Sequence, residues 1–147
     1  MIKNNIKISG KILNHLTKSG KKIKSEKILR QTIKELQKPF KKQSKKIIQL
    51  SLILTSSAFK LFVITQKKRK KKQDKIIPSF ITKPYIRKSL AIKSIVQETR
   101  NNKNFYFSQT LKENIIETSN SKGNVINIKN RDQKKVLLNK HLFKYYK

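Results

Sequence analysis

Lys67, Lys68, Arg69, Lys70, Lys71 and Lys72 form an unbroken cationic run with apolar residues on both sides. Ala58, Phe59, Leu61, Phe62, Val63 and Ile64 precede it, and Ile76, Ile77, Pro78, Phe80 and Ile81 follow it. Aromatic and β-branched segments on either side of a polar link read as a β-hairpin. Adjacent like charges cannot be buried, because each would need a partner and the run offers none. The hairpin must therefore hold its root through the apolar segments and project its tip into water or against a polyanion. This arm is placed at 59–82. The run contains no Gly or Asn to form a tight turn, so a wide, mobile tip is expected. Pro78 has no N–H to donate and confines the second strand to an edge or a bulge.

The charge of the whole chain points the same way. Lys and Arg total 38 against 7 Asp plus Glu, a formal charge of +31 over 147 residues. Self-repulsion at that density opposes compaction unless phosphates neutralise it. RNA or DNA is the first partner class implied, and an anionic membrane surface is the second. Apolar residues are 35% of the chain, which suits one domain with a modest core.

Catalytic and metal chemistry find little footing. The absence of cysteine excludes disulfides, thiolate metal sites and thiol nucleophiles. His15 and His141 lie far apart in sequence, and the carboxylates are scattered singly. Three glycines provide no phosphate-cradling loop. No catalytic residue, metal site or cofactor is expected. The segment from Met1 to Ile6 lacks the continuous apolar region of a secretory signal.

Taken in order, residues 1–9 read as a flexible basic arm. Lys11–Lys18 reads as a short helix with Ile12, Leu13 and Leu16 on one face, stopped at Gly20. Ser25–Lys38 is the clearest amphipathic helix. Ile28, Leu29, Ile33 and Leu36 recur at helical spacing, Glu26 sits in the first turn, and Pro39 ends it. Residues 41–46 read as a basic linker. Ile47–Ile64 carries one formal charge, Lys60, and approaches the ~20 apolar residues that span a bilayer. A membrane-anchored basic protein using 47–64 is therefore the competing reading. Against it, Ser56-Ser57 divides the stretch into a buried helix, Ile47–Leu54, and a strand, Phe59–Thr65. Beyond the arm, Pro84 leads to a helix at Ser89–Val96 with Leu90, Ala91, Ile95 and Val96 inward. Phe105–Ser119 is another, with Phe107, Leu111, Ile115 and Thr118 inward and Gly123 as its stop. Val125–Ile128 is apolar without a clear type. Asp132–Phe143 is read as a last helix with Val136, Leu137 and Leu142 inward.

The candidate RNA-binding residues cluster in three places. Lys21 and Lys22, with Lys11 and Lys18 before them, lie at a helix–helix turn. The tip carries the run 67–72. Lys83, Arg87 and Lys88 border the helix after the arm, and Lys140 lies near the C-terminus. Lysines give phosphate affinity that is independent of sequence and sensitive to salt. Arg87, one of five arginines, can grip a phosphate through two N–H groups. Any single cation is most simply part of a solvated face. The ensemble is not, because so few acids offset it. Tyr85, Phe105, Tyr145 and Tyr146 could stack on unpaired bases or cap a core.

Three motifs in register resemble the small-subunit ribosomal protein seven family. The first is Leu13-Asn14-His15-Leu16-Thr17-Lys18-Ser19-Gly20-Lys21-Lys22, followed by Glu26, Ile28 and Leu36. It is similar to the family's helix, Gly-Lys-Lys turn and second helix. The second is Pro84, Arg87, Leu90, Ala91, Ile95 and Val96, at the spacing of the family's helix after the hairpin. The third is Leu111, Ile115, Lys122-Gly123, Asn139, Lys140 and Tyr145. The family's Gly-containing hairpin tip is replaced here by the lysine run.

The resemblance implies a mainly α fold, a bundle of about six helices with a protruding two-stranded β-hairpin arm. It implies a structural protein of the small ribosomal subunit, with no enzymatic activity, that binds the 3′ major (head) domain of small-subunit rRNA and helps nucleate head assembly. Its partners would be that rRNA, neighbouring head proteins, and tRNA and mRNA in the exit region, with no membrane. Lys21, Lys22, Arg87 and the tip cations would contact nucleic-acid backbone. Heavy use of Lys, Asn and Ile is what AT-rich codons produce, so the mitochondrial matrix is the expected location and the plastid stroma the alternative.

Overall fold

The computed structural model describes residues 2–40, 43–68, 71–102 and 106–145. Six α-helices and one hairpin follow one another among these residues: α1 (Ile2–Leu16), α2 (Lys22–Phe40), α3 (Ser44–Thr55), β1 (Phe59–Lys68), β2 (Lys71–Phe80), α4 (Pro84–Asn101), α5 (Phe107–Ser119) and α6 (Asn124–Leu138). A 3-10 helix, Lys140–Tyr145, closes the described chain.

The helices pack around one apolar core. Leu36 of α2, Leu52 of α3, Ala91, Ile92, Ile95 and Val96 of α4, and Leu111 and Ile115 of α5 are buried in it. Ile12 and Leu16 bring α1 to the same core, and Val125 brings α6. With few apolar residues available, hydroxyl side chains fill the remaining interior. Thr32, Thr55, Thr99 and Thr118 are buried, and each donates to the carbonyl four residues earlier in its own helix. Local back-bonding satisfies a buried hydroxyl without a partner from elsewhere. Polar links also cross between helices: Asn114 Nδ2 donates to Thr99 Oγ1 at 3.0 Å, and Asn124 Nδ2 donates to Glu98 Oε1 at 2.9 Å.

The hairpin is antiparallel, with Phe59 opposite Phe80 and Val63 opposite Ile76. Its root is anchored on both faces of the ribbon. Ile77 and Pro78 are buried, and Phe59, Phe80 and Phe143 of the 3-10 helix form an aromatic triad with centroids 4.7–5.8 Å apart. Pro78 is tolerated because β2 has only β1 as a neighbour.

Several expectations are corrected. The wide tip is not formed: the ladder continues through Lys67↔Lys72 to Lys68↔Lys71. Arg69 and Lys70 lie outside the described residues. The first helix starts at Ile2, so the segment expected as a basic arm is drawn into it. Pro84 occupies the first turn of α4 instead of preceding it, a position where its missing N–H costs nothing. The apolar stretch 125–128 is the first turn of α6, which begins at Asn124. Gly123 is therefore the residue that starts α6, with φ 90° and ψ 167°. Val136 is buried as expected, but Leu137 is 66% exposed. The stretch 47–64 is split between α3 and β1, and no helix among the described residues is long and apolar enough to cross a membrane. The single apolar span across 47–64 that an anchor would need is not formed.

Candidate nucleic-acid interface

Each basic element of the sequence is held by a specific piece of backbone. The α1–α2 turn is made by two residues at positive φ, Ser19 (52°) and Gly20 (72°). Its N–H groups fold back locally, Lys21 onto the Lys18 carbonyl at 3.1 Å and Lys22 onto the Gly20 carbonyl at 2.8 Å. Lys18, Lys21 and Lys22 are all exposed on it. The turn is thus a small, well-determined platform that displays three ammonium groups.

The arm joins α4 through a second construction. Ile81 N–H donates to the Ala58 carbonyl at 2.9 Å, extending the ladder past Phe80. The Ile81 carbonyl then accepts Arg87 Nε at 2.6 Å. Arg87 is half-buried and ties the exit of the arm to the first turns of α4. Any two-pronged grip on a phosphate would use its terminal amino groups. Lys83 and Lys88 beside it are exposed.

A third cationic face, which sequence reasoning missed, lies where α1 crosses α4. Arg100 Nη2 donates to the carbonyls of His15 (3.0 Å) and Leu16 (3.3 Å), closing the C-terminal end of α1 from the far end of α4. A cation there also complements the helix dipole. His15 Nε2 shares a 2.8 Å hydrogen bond with Ser89 Oγ. Burial, and then Lys93, Arg100 and Lys11, hold the His15 pKa below its ordinary 6.5. Lys11 Nζ lies 5.6 Å from the centre of the Tyr85 ring. The ring is 55% exposed, so it is available as a surface and is not capping the core. Spacing alone could not bring Lys11, His15, Tyr85, Lys93 and Arg100 together, because the crossing of α1 over α4 does so.

Of the residues singled out in sequence, Lys18, Lys21 and Lys22 share one turn, and Lys83, Arg87 and Lys88 share the start of α4. Lys11 stands on the α1–α4 face. Lys67, Lys68, Lys71 and Lys72 are the last rungs of the ladder. Lys140 starts the terminal 3-10 helix and is exposed. Phe105 and Tyr146 lie outside the described residues. No group of three His, Cys, Asp or Glu side chains is gathered as a metal site among the described residues.

The arrangement offers separated ammonium and guanidinium groups on rigid elements and an arm that ends in opposed lysines. It can neutralise a folded polyanion at several places at once. Comparison with known proteins agrees: the model of the family described as Ribosomal protein S7p/S5e matches residues 2–140. A comparison with curated proteins gives no match. A match over nearly the whole length, on six helices with one hairpin, shows that the chain belongs to the Ribosomal protein S7p/S5e family and is a non-enzymatic structural protein of the small ribosomal subunit that binds rRNA.

Proposed function

We propose that the protein binds the 3′ major (head) domain of small-subunit rRNA, helps nucleate assembly of the head, and holds its arm near the exit-site tRNA and the mRNA path. The observation that carries this reading is the register of the arm. Lys67 opposes Lys72 and Lys68 opposes Lys71. Like charges directly opposite across a ladder are destabilising, so the last rungs gain most from an anionic backbone between or beside them. Lys11, Lys18, Lys21, Lys22, Lys83, Arg87, Lys88 and Lys140 supply further backbone contacts, and neighbouring head proteins complete the surroundings. A chain rich in Lys, Asn and Ile fits an AT-rich organellar genome, and the mitochondrial ribosome is the proposed setting.

The test is binding of the full chain to separate transcripts of the 3′ major domain and the 5′ domain of small-subunit rRNA over a salt series. The 3′ major domain should bind more tightly at every salt concentration, and equal affinity would overturn the reading. Replacing Lys67, Lys68, Lys70 and Lys71 with Gln should flatten the salt dependence by roughly 0.7–0.9 in slope for each phosphate that is no longer neutralised. An unchanged slope would take the arm off the backbone.

A further inference from the structure

An open cavity of about 230 Å³ lies where the end of α3, the root of β1, α4 and α6 meet. That is about eight times the ~30 Å³ share of one water molecule in the liquid, room for a small planar group. Phe59, Leu90 and Val136 are among its apolar walls, and Lys60, Ser94, Lys129 and Asp132 are among the residues that bring polar groups to it. Apolar walls with a few convergent polar groups are the usual make-up of a small-ligand site.

The polar pair is unusual for this chain. Lys129 Nζ donates to the Leu54 carbonyl at the C-terminal end of α3, at 2.5 Å. That bond holds the ammonium at the cavity and, among the described residues, leaves its other two N–H groups unused. Burial also lowers its pKa, which marks a shielded position. Asp132 lies one turn further along α6 and lines the same cavity. Among the described residues it has no hydrogen bond or ion pair, in a chain with 38 cations and 7 acids. A carboxylate facing RNA repels the phosphates, so its use on such a surface is to accept from base N–H groups. Lysine supplies the complementary donor. The Watson–Crick edge of guanine presents one acceptor, O6, followed by two donors, N1–H and N2–H. Cytosine, adenine and uracil each offer the carboxylate a single donor.

We propose that this cavity receives one unstacked guanine of the RNA, with Lys129 donating to O6 and Asp132 accepting from N1–H and N2–H. Sequence-specific readout of RNA is made largely on such unstacked bases. The proposal rests only on the protein binding RNA and not on which rRNA domain is bound.

The probes are two labelled hexanucleotides, one all uridine and one with a single central guanosine. Their phosphate count is the same, so the electrostatic term cancels between them. The full-length protein should bind the guanosine hexamer at least about fivefold more tightly, the lower limit for one bidentate base contact. Asp132→Asn and Ser94→Trp, the second filling the mouth from an exposed position, should each abolish the preference while the all-uridine hexamer remains bound. Removing the negative charge of Asp132 without a base contact would instead raise binding of both hexamers alike, and that result overturns the proposal. So does the absence of a guanosine preference in the unaltered protein, or a preference that survives both substitutions. Displacement of the hexamer by an equimolar amount of guanosine monophosphate, but not uridine monophosphate, would assign the cavity to a free nucleotide and overturn the RNA source. Salt-sensitive binding of both hexamers without discrimination would leave RNA binding standing and remove the guanine site alone.

Discussion

Replacing Arg87 with Lys separates two roles that the sequence could not tell apart, phosphate contact and support of the arm. The substitution keeps the charge and most of the aliphatic stem. It removes the Nε–H that donates to the Ile81 carbonyl at 2.6 Å. Hydrogen bonds from charged groups contribute about 1.5–3 kcal/mol net. Arg87 is half-buried, which moves the figure down, but Ile81 is 7% exposed, so its carbonyl would be left in poor contact with water, which moves it up. About 2 kcal/mol is the expected loss. At about 2–4 °C per kcal/mol for a domain near this size, the thermal midpoint should fall by about 4–8 °C. The assay is thermal unfolding followed by circular dichroism at high salt, where self-repulsion is screened equally in both proteins. The salt slope of RNA binding should be unchanged, because the charge is retained. A midpoint equal to that of the unaltered protein would refute the argument that Arg87 clamps the exit of the arm.

Leu36→Ala should cost about 2–5 kcal/mol, because Leu36 of α2 is fully buried in the core; urea unfolding would report it, and a loss under about 1 kcal/mol would contradict the core described. Gly123→Ala should cost about 1–3 kcal/mol, since φ 90° with ψ 167° is open essentially only to glycine and the added Cβ would stand 3.1 Å from Glu117 Cβ; an unchanged melting midpoint would refute it. His15 has its folded pKa depressed below 6.5, so the unfolded chain takes up its proton first as the pH falls. The stability His15 contributes is therefore present above about pH 6.5 and is lost as the pH drops through the lower folded value. His15→Gln should weaken the acid sensitivity of the melting temperature below that pH, and identical pH profiles would contradict the assignment.

The parts legible in the sequence were those where periodicity and breakers agreed. Leu36, Leu111 and Ile115 lie on helical stripes and are buried, and Ser56-Ser57 marks the break between α3 and β1. The hairpin was legible from two apolar segments around a charged run. Its tip was not, because turn chemistry argued for an open loop, whereas pairing of the flanking strands carries the ladder to Lys68 and Lys71. Residue spacing also misplaced α6. Lys129 and Asp132 interrupt the stripe of Val125 and Val136, and polar residues on an apolar stripe broke the periodicity that would have announced the helix. Those same two residues line the cavity, so the local inconsistency falls where a binding role is now inferred. The α1–α4 face was beyond sequence reasoning altogether, because Arg100 meets His15 across 85 positions of chain.

The central claim is that a small, weakly cored, strongly cationic protein works as a structural part of the small ribosomal subunit. Sedimentation of the tagged protein through a magnesium-containing gradient, with and without RNase, tests it most directly. The account predicts comigration with the small subunit that is lost on RNase or EDTA treatment. Sedimentation that is indifferent to RNase, or recovery away from the small subunit, would contradict it.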